Sequence, residues 1–285
     1  MAKHKKTVDM VTAAKLILAE CNPMTVRQVY YQLVSKHIIK NNKSAYHAVI
    51  NALVDARKEG VIPWEHIEDR NRQPREVSMW AGLPDFAETC LRSYRRDVWQ
   101  QQENYVEVWL EKDALSGIFE DVLNLYGVTL NVGRGYDGWS SIHNAAVRYS
   151  DIEKPTTILY FGDFDPSGVD MSDSLLKRLN EQAERLNYPI PAIVRCALNG
   201  DDIQRYNLPP DFAKTTDTRT KKFKEKHGDI AVELDAMPIN VLRSRLKNAV
   251  EANMDMDALK ETKADETRDQ EYLVKVLSAA QVASG

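Results

Sequence analysis

Apolar residues near the start of the chain recur at helical spacing. Val8, Val11, Leu16, Ile17 and Leu18, with Ala13, Ala14 and Ala19, make one stripe and predict a helix over residues 8–20, stopped by Asn22-Pro23. Thr25 suits an N-cap, and Val29, Tyr30, Leu33 and Val34 predict a second helix from Val26 to Lys36. Ser44 is the expected cap of a third helix to Lys58, with Ala45, Val49, Leu53, Val54 and Ala56 as its apolar face. Val61 to Ile67 reads as a short strand or hairpin. Three short helices followed by a β-wing is the pattern of a winged helix-turn-helix unit. Arg70 to Arg75 is polar and basic, a loop, and Phe86 to Trp99 reads as a helix carrying Arg92, Arg95 and Arg96.

From Tyr105 onward the pattern changes. Strands are predicted over 105–110, 128–132, 156–162 and 190–196, alternating with helices over 113–126, 141–149 and 168–186. Such alternation builds a largely parallel sheet covered on both faces. Leu208-Pro209-Pro210 is a loop, residues 231–237 a further strand, and residues 238–252 a helix; the charged end of the chain is helical. The division expected is a winged-helix unit over 1–75, a helical linker over 76–104, an α/β core over 105–200 and a C-terminal extension over 201–285 packed on that core.

Composition adds bounds. The chain has 285 residues, 43% hydrophobic and 28% charged, ordinary for a soluble globular protein with room for two domains. No apolar run approaches the roughly 20 residues of a membrane-spanning helix, so no membrane is expected. The basic start, Met1 to Lys6, lacks the apolar segment of a secretory signal, and a cytoplasmic location is the expectation. Cys21, Cys90 and Cys196 share no metal spacing and read as small buried apolar residues. A net charge of −4 argues against a nucleic-acid partner, but residues 1–100 carry a surplus of five positive charges and the remainder a surplus of nine negative ones. A basic part can face phosphate while an acidic part holds a cation.

Two of the predicted strands end in carboxylates. Val106 to Leu110 leads into Glu111-Lys112-Asp113, and Thr157 to Phe161 into Gly162-Asp163-Phe164-Asp165-Pro166-Ser167-Gly168. Residues two apart in a strand share a side, so Asp163 and Asp165 repel unless a cation lies between them. Glu111 is the third oxygen ligand or a general base, and an oxygen-only set suits Mg2+. The plain alternative is a helix-capping aspartate beside a surface aspartate. Gly162 and Gly168 permit close backbone approach. In the second helix Arg27 and Tyr31 stand at i and i+4 on one face. A tyrosine hydroxyl can attack a phosphodiester, with the arginine stabilising the developing charge, or Tyr30-Tyr31 can simply pack a core. Lys43, Arg57, Arg70, Arg72 and Arg75 near the wing, Lys112 beside the acids and Arg134 in the loop after the second strand are candidate phosphate contacts. Glu233 and Asp235 either extend the acidic edge or have a buried or capping role.

Taken in order, four segments resemble the A subunit of topoisomerase VI and its relative, the meiotic double-strand-break transesterase. Val26-Arg27-Gln28-Val29-Tyr30-Tyr31 is similar to the Arg-x-x-Tyr-Tyr stretch of that family's winged helix. Leu110-Glu111-Lys112-Asp113-Ala114 resembles the first motif of its toprim domain, Gly133-Arg134-Gly135-Tyr136 its glycine-tyrosine loop, and Gly162 to Gly168 its D-x-D-P-x-G motif; Val232 to Met237 is a weaker match. The resemblance implies a winged helix followed by a toprim domain. It implies Mg2+ on Glu111, Asp163 and Asp165, and Tyr31 as a nucleophile supported by Arg27. The partners implied are double-stranded DNA and a second copy of the chain, with the tyrosine of one protomer meeting the metal of the other. The product is a 5′-phosphotyrosyl link. The sequence holds no G-x-x-x-x-G-K-[ST] phosphate loop, so strand passage requires a separate ATPase subunit. Toprim domains also serve nucleases that use metal and water. A hydrolytic nuclease and a non-catalytic DNA-binding accessory protein are therefore alternatives.

Overall fold

The computed structural model describes residues 5–68, 77–133, 138–212 and 220–283. Its first part is helical. α1 (Lys5–Glu20) buries Met10, Val11, Ala14, Ile17 and Leu18; of the expected stripe Val8 and Leu16 are exposed instead, and the helix begins three residues earlier than the apolar pattern. α2 (Val26–Ser35) opens on a full capping box, in which Thr25 accepts from the Gln28 amide and the Gln28 side chain accepts from the Thr25 amide. Every residue from Gln28 to Val34 is buried. α3 (Lys43–Lys58) starts earlier than expected because Asn42, not Ser44, is its cap, accepting from the Ala45 amide at 2.8 Å.

The wing does not form over residues 61–67. Trp64–His66 makes a 3₁₀ turn, and the strand is reduced to one parallel bridge between Met24 and Ile67. Pro63 supplies no ladder donor, and Trp64 stacks beneath the Arg57 guanidinium at 4.8 Å instead of extending. Helix α4 (Leu83–Ser93) ends short of the predicted Trp99. Trp99 is held elsewhere, its indole donating to Gly127 O at 2.6 Å. Arg70, Arg72 and Arg75 lie outside the described residues.

The sheet follows the alternation. β1 (Tyr105–Leu110), β2 (Thr129–Val132), β3 (Thr156–Phe161) and β4 (Ala192–Ala197) lie in the order β2-β1-β3-β4, every pair parallel. β1 is buried along its whole length, including Glu107, which is 0% exposed. That carboxylate accepts from Arg148, Asn131 and the Tyr149 hydroxyl, so its burial is compensated. With right-handed crossovers, the change of direction in strand order puts α5 (Ser116–Leu123) on one face, and α6 (Trp139–Ile152) and α7 (Pro166–Leu186) on the other.

After β4 the chain adds α8 (Gly200–Arg205), β5 (Asp211–Phe212), α9 (Thr220–His227) and β6 (Ile230–Ala231), then α10 (Ile239–Glu251) and α11 (Met256–Ala283). The strand predicted over 231–237 is mostly something else. Ile230–Ala231 pairs antiparallel with β5, Val232 bridges Phe164, and Leu234–Ala236 is a 3₁₀ turn. Helix α2 packs on that turn, with Gln32 donating to Met237 O at 3.3 Å. The N-terminal helices and the C-terminal extension therefore share one hydrophobic core with the sheet. Among the described residues no helix is long and apolar enough to cross a membrane. The architecture is α/β, a parallel four-stranded sheet joined to a helical N-terminal part.

Removing the α2 cap tests this local account. Thr25→Ala is expected to lower unfolding free energy by about 1 kcal/mol. The loss should be read as a lower urea midpoint with an unchanged slope.

Candidate active site

In an open parallel sheet, the point where strand order reverses leaves a crevice at the carboxyl ends. Here β2 lies on one side of β1 and β3 on the other, so that crevice lies beyond Leu110 and Phe161. The next residues are Glu111 and, after Gly162, Asp163. The Asp163 amide donates to Glu111 Oε2 at 2.9 Å, joining the two strand ends. Neither glycine of this loop tolerates a side chain in place. A Cβ on Gly162 would stand 2.6 Å from Glu111 Oε2, and one on Gly168 2.4 Å from the Asp163 carbonyl oxygen. Arg195, on β4, clamps the loop by donating to the carbonyls of Gly162, Asp163 and Gly168.

The two aspartates do not share a strand face. β3 ends at Phe161, and Phe164 is drawn into its bridge with Val232. Asp165 becomes the N-cap of α7, accepting from the Gly168 amide at 2.6 Å. Asp163 faces the 3₁₀ turn, where Oδ1 accepts from the Leu234 amide at 2.7 Å and Oδ2 pairs with Lys112 at 3.1 Å. As the side chains stand, no group of three or more His, Cys, Asp and Glu among the described residues is arranged to hold a metal ion.

The acids meet cations. Lys112 lies in a nest of three carboxylates, pairing with Asp163, with Asp235 Oδ2 at 2.9 Å and with Glu233. Arg27, from α2, reaches the same two acids, pairing with Glu233 and placing Nε 3.3 Å from Asp235 Oδ2. The Arg27 guanidinium also lies over the Tyr31 ring at 5.2 Å. Tyr31 is 7% exposed, with the Glu233 carboxylate beside its hydroxyl. Burial first, and Glu233 second, push that hydroxyl well above the usual tyrosine range, against the opposing pull of Arg27 and Lys112.

Burial likewise raises the carboxyls of Glu111 and Asp163. Burial also works against ionisation of Glu233, yet Lys112 and Arg27 hold it below the ordinary glutamate value. The edge is thus neutralised on its Glu233 side and under-neutralised at Glu111 and Asp163. That imbalance and the oxygen-only donors fit a hard divalent cation at Glu111 and Asp163. Asp165, with Oδ1 given to the cap, has only Oδ2 to offer.

The structure brings Tyr31, Arg27, Lys112, Glu111 and Asp163 to one edge within a single chain, whereas the resemblance implies a tyrosine supplied by a partner. Lys112 is buried among acids and is not displayed to solvent. Lys43 is exposed at the start of α3 and, with Arg27, Tyr30, Tyr31, Asn41, Asn42 and Tyr46, lines a cleft of about 340 Å³ beside the tyrosine. Arg57, at the far end of α3, is engaged with Trp64. Arg72 and Arg134, with most of the glycine-tyrosine loop, lie outside the described residues. Sequence reasoning missed Arg195; its one signal was a lone arginine inside the apolar run of β4. Models of known protein families give no match to the chain, and neither do the curated proteins.

Two outcomes test the geometry. Gly168→Ala must displace backbone and is expected to cost about 1–3 kcal/mol of unfolding free energy, measured by denaturant melts. Mg2+ should raise the melting temperature relative to EDTA, since a cation relieves repulsion that exists only in the folded edge. That increment should vanish in Asp163→Asn.

Proposed function

We propose that the chain is a Mg2+-dependent DNA-cleaving enzyme of the topoisomerase VI A type, with Tyr31 as its nucleophile. The reading is carried by the meeting of a tyrosine, two cationic side chains and the acidic strand ends at the switch point of a parallel sheet. DNA backbone would enter through the cleft lined by Lys43, Asn42 and Tyr31. The Tyr31 oxygen bonds to phosphorus as its proton passes to Glu233, and the bond to the 3′ oxygen breaks; that oxygen takes a proton from solvent, leaving a 5′-phosphotyrosyl link and a 3′ hydroxyl. Glu233 is the acceptor nearest the tyrosine proton, and Arg27 stabilises the charge developing on phosphate. Mg2+ held by Glu111 and Asp163, with Asp165 completing the set, would act as a Lewis acid toward the phosphoryl oxygens. On the same reading the working unit is a cytoplasmic homodimer that cuts both strands of duplex DNA, and a separate subunit supplies any ATPase.

A hydrolytic nuclease is the second reading. It is favoured by the burial and raised pKa of Tyr31, which keep the hydroxyl protonated in this arrangement. Incubation with supercoiled plasmid and Mg2+, stopped with denaturant, separates the two. The first reading expects a covalent protein–DNA adduct that Tyr31→Phe abolishes. Cleavage without adduct, undiminished in Tyr31→Phe, sinks it in favour of hydrolysis. Asp163→Ala should reduce either activity to background.

A further inference from the structure

We infer that Lys112 fills the position of a second cation at this edge, so that the edge accepts one divalent ion and not two. The inference deepens the reading of the edge as a metal site, but its test is independent of DNA cleavage. Asp163, Glu233 and Asp235 come from two separate segments and converge on one point, and the Lys112 ammonium occupies it, with oxygens at 3.1 Å and 2.9 Å and the Glu233 contact shorter. An ammonium has three donors and is a compact point charge, the side-chain group closest to a bare cation. The lysine side chain is 11% exposed, so the carboxylates are its principal partners.

A second observation indicates unused ligand capacity on one acid of the nest. Asp235 is 1% exposed, and its Oδ1 is buried without a hydrogen-bond partner among the described residues. An ammonium with all three donors spent cannot satisfy it, whereas a divalent ion accepts further oxygens. Charge points the same way. Five carboxylates (Glu111, Asp163, Asp165, Glu233 and Asp235) face three cationic side chains, Arg27, Lys112 and Arg195. The formal excess of two negative charges is what one divalent ion neutralises. Removing the Lys112 charge enlarges the excess and vacates the nest.

Mn2+ is the probe, counted by electron paramagnetic resonance on the full chain. Lys112→Met, close in shape and uncharged, is expected to bind one Mn2+ more per chain than the wild type, and K112M/E233Q to lose that extra ion. One ion in the wild type and two in K112M supports both the lysine role and the metal reading of Glu111 and Asp163. None in the wild type and one in K112M supports the lysine role while removing that metal reading. A K112M chain that gains no ion overturns the inference, as does a wild-type chain that binds two. Because K112M takes the lysine charge from Asp163 and leaves Glu233 and Asp235 with Arg27 alone, its melting temperature is the companion measurement. It should fall in EDTA and recover in Mn2+, with no recovery in K112M/E233Q. A K112M chain that Mn2+ does not restabilise also counts against the inference.

Discussion

Everything at the carboxyl edge depends on one constraint: buried charge must be paired. Lys112 and Asp235 are both nearly sealed from solvent, and each is tolerable because it is paired, Lys112 with three carboxylates and Asp235 with Lys112 and Arg27. Removing one member of a buried pair typically costs about 3–5 kcal/mol, while replacing the whole set by apolar residues is often neutral. A set like this one is therefore poor evidence of stabilisation and better evidence of positioning. What it positions is specific. Arg27 brings α2, Lys112 brings the end of β1, Asp163 the end of β3, and Glu233 and Asp235 the 3₁₀ turn. Four segments remote in sequence are brought into register by one ion network. The packing of α2 on that turn supplies the apolar burial that the ion pairs alone lack.

How much of this was legible in the sequence follows from the range of the forces involved. β1 and β3, buried on both faces, read as apolar runs, α1 reads as a helix and α2 as a stripe, because burial pattern and local capping are written in neighbouring residues. The placement of Glu111 and Asp163 at the switch point followed from strand ends alone. The wing failed where a proline and a cation–aromatic stack overrode a short apolar run. The pairing of Asp163 with Asp165 failed because a strand-face argument was carried past the end of the strand. Glu233, Asp235 and Arg195 were weighed lightly or missed, since their partners stand between about thirty and two hundred residues away. Local spacing carries no information at that range, and no relative supplied it.

The network also decides what Tyr31 can be. A largely buried tyrosine whose hydroxyl faces a carboxylate holds its proton firmly. For such a group to attack phosphate, the balance around it must change. Either Glu233 is freed of its cations and becomes a better acceptor for the tyrosine proton, or α2 moves away from the turn and the hydroxyl meets another environment. Both routes pass through Arg27 and Lys112, which hold Glu233. An entering phosphate competes for the same two cations, because guanidinium and ammonium groups are the donors it seeks. On the proposed reading, a phosphate that draws Arg27 and Lys112 off Glu233 would leave that carboxylate a better acceptor for the Tyr31 proton, in one exchange of ion pairs where the helical part of the chain meets the edge of the sheet.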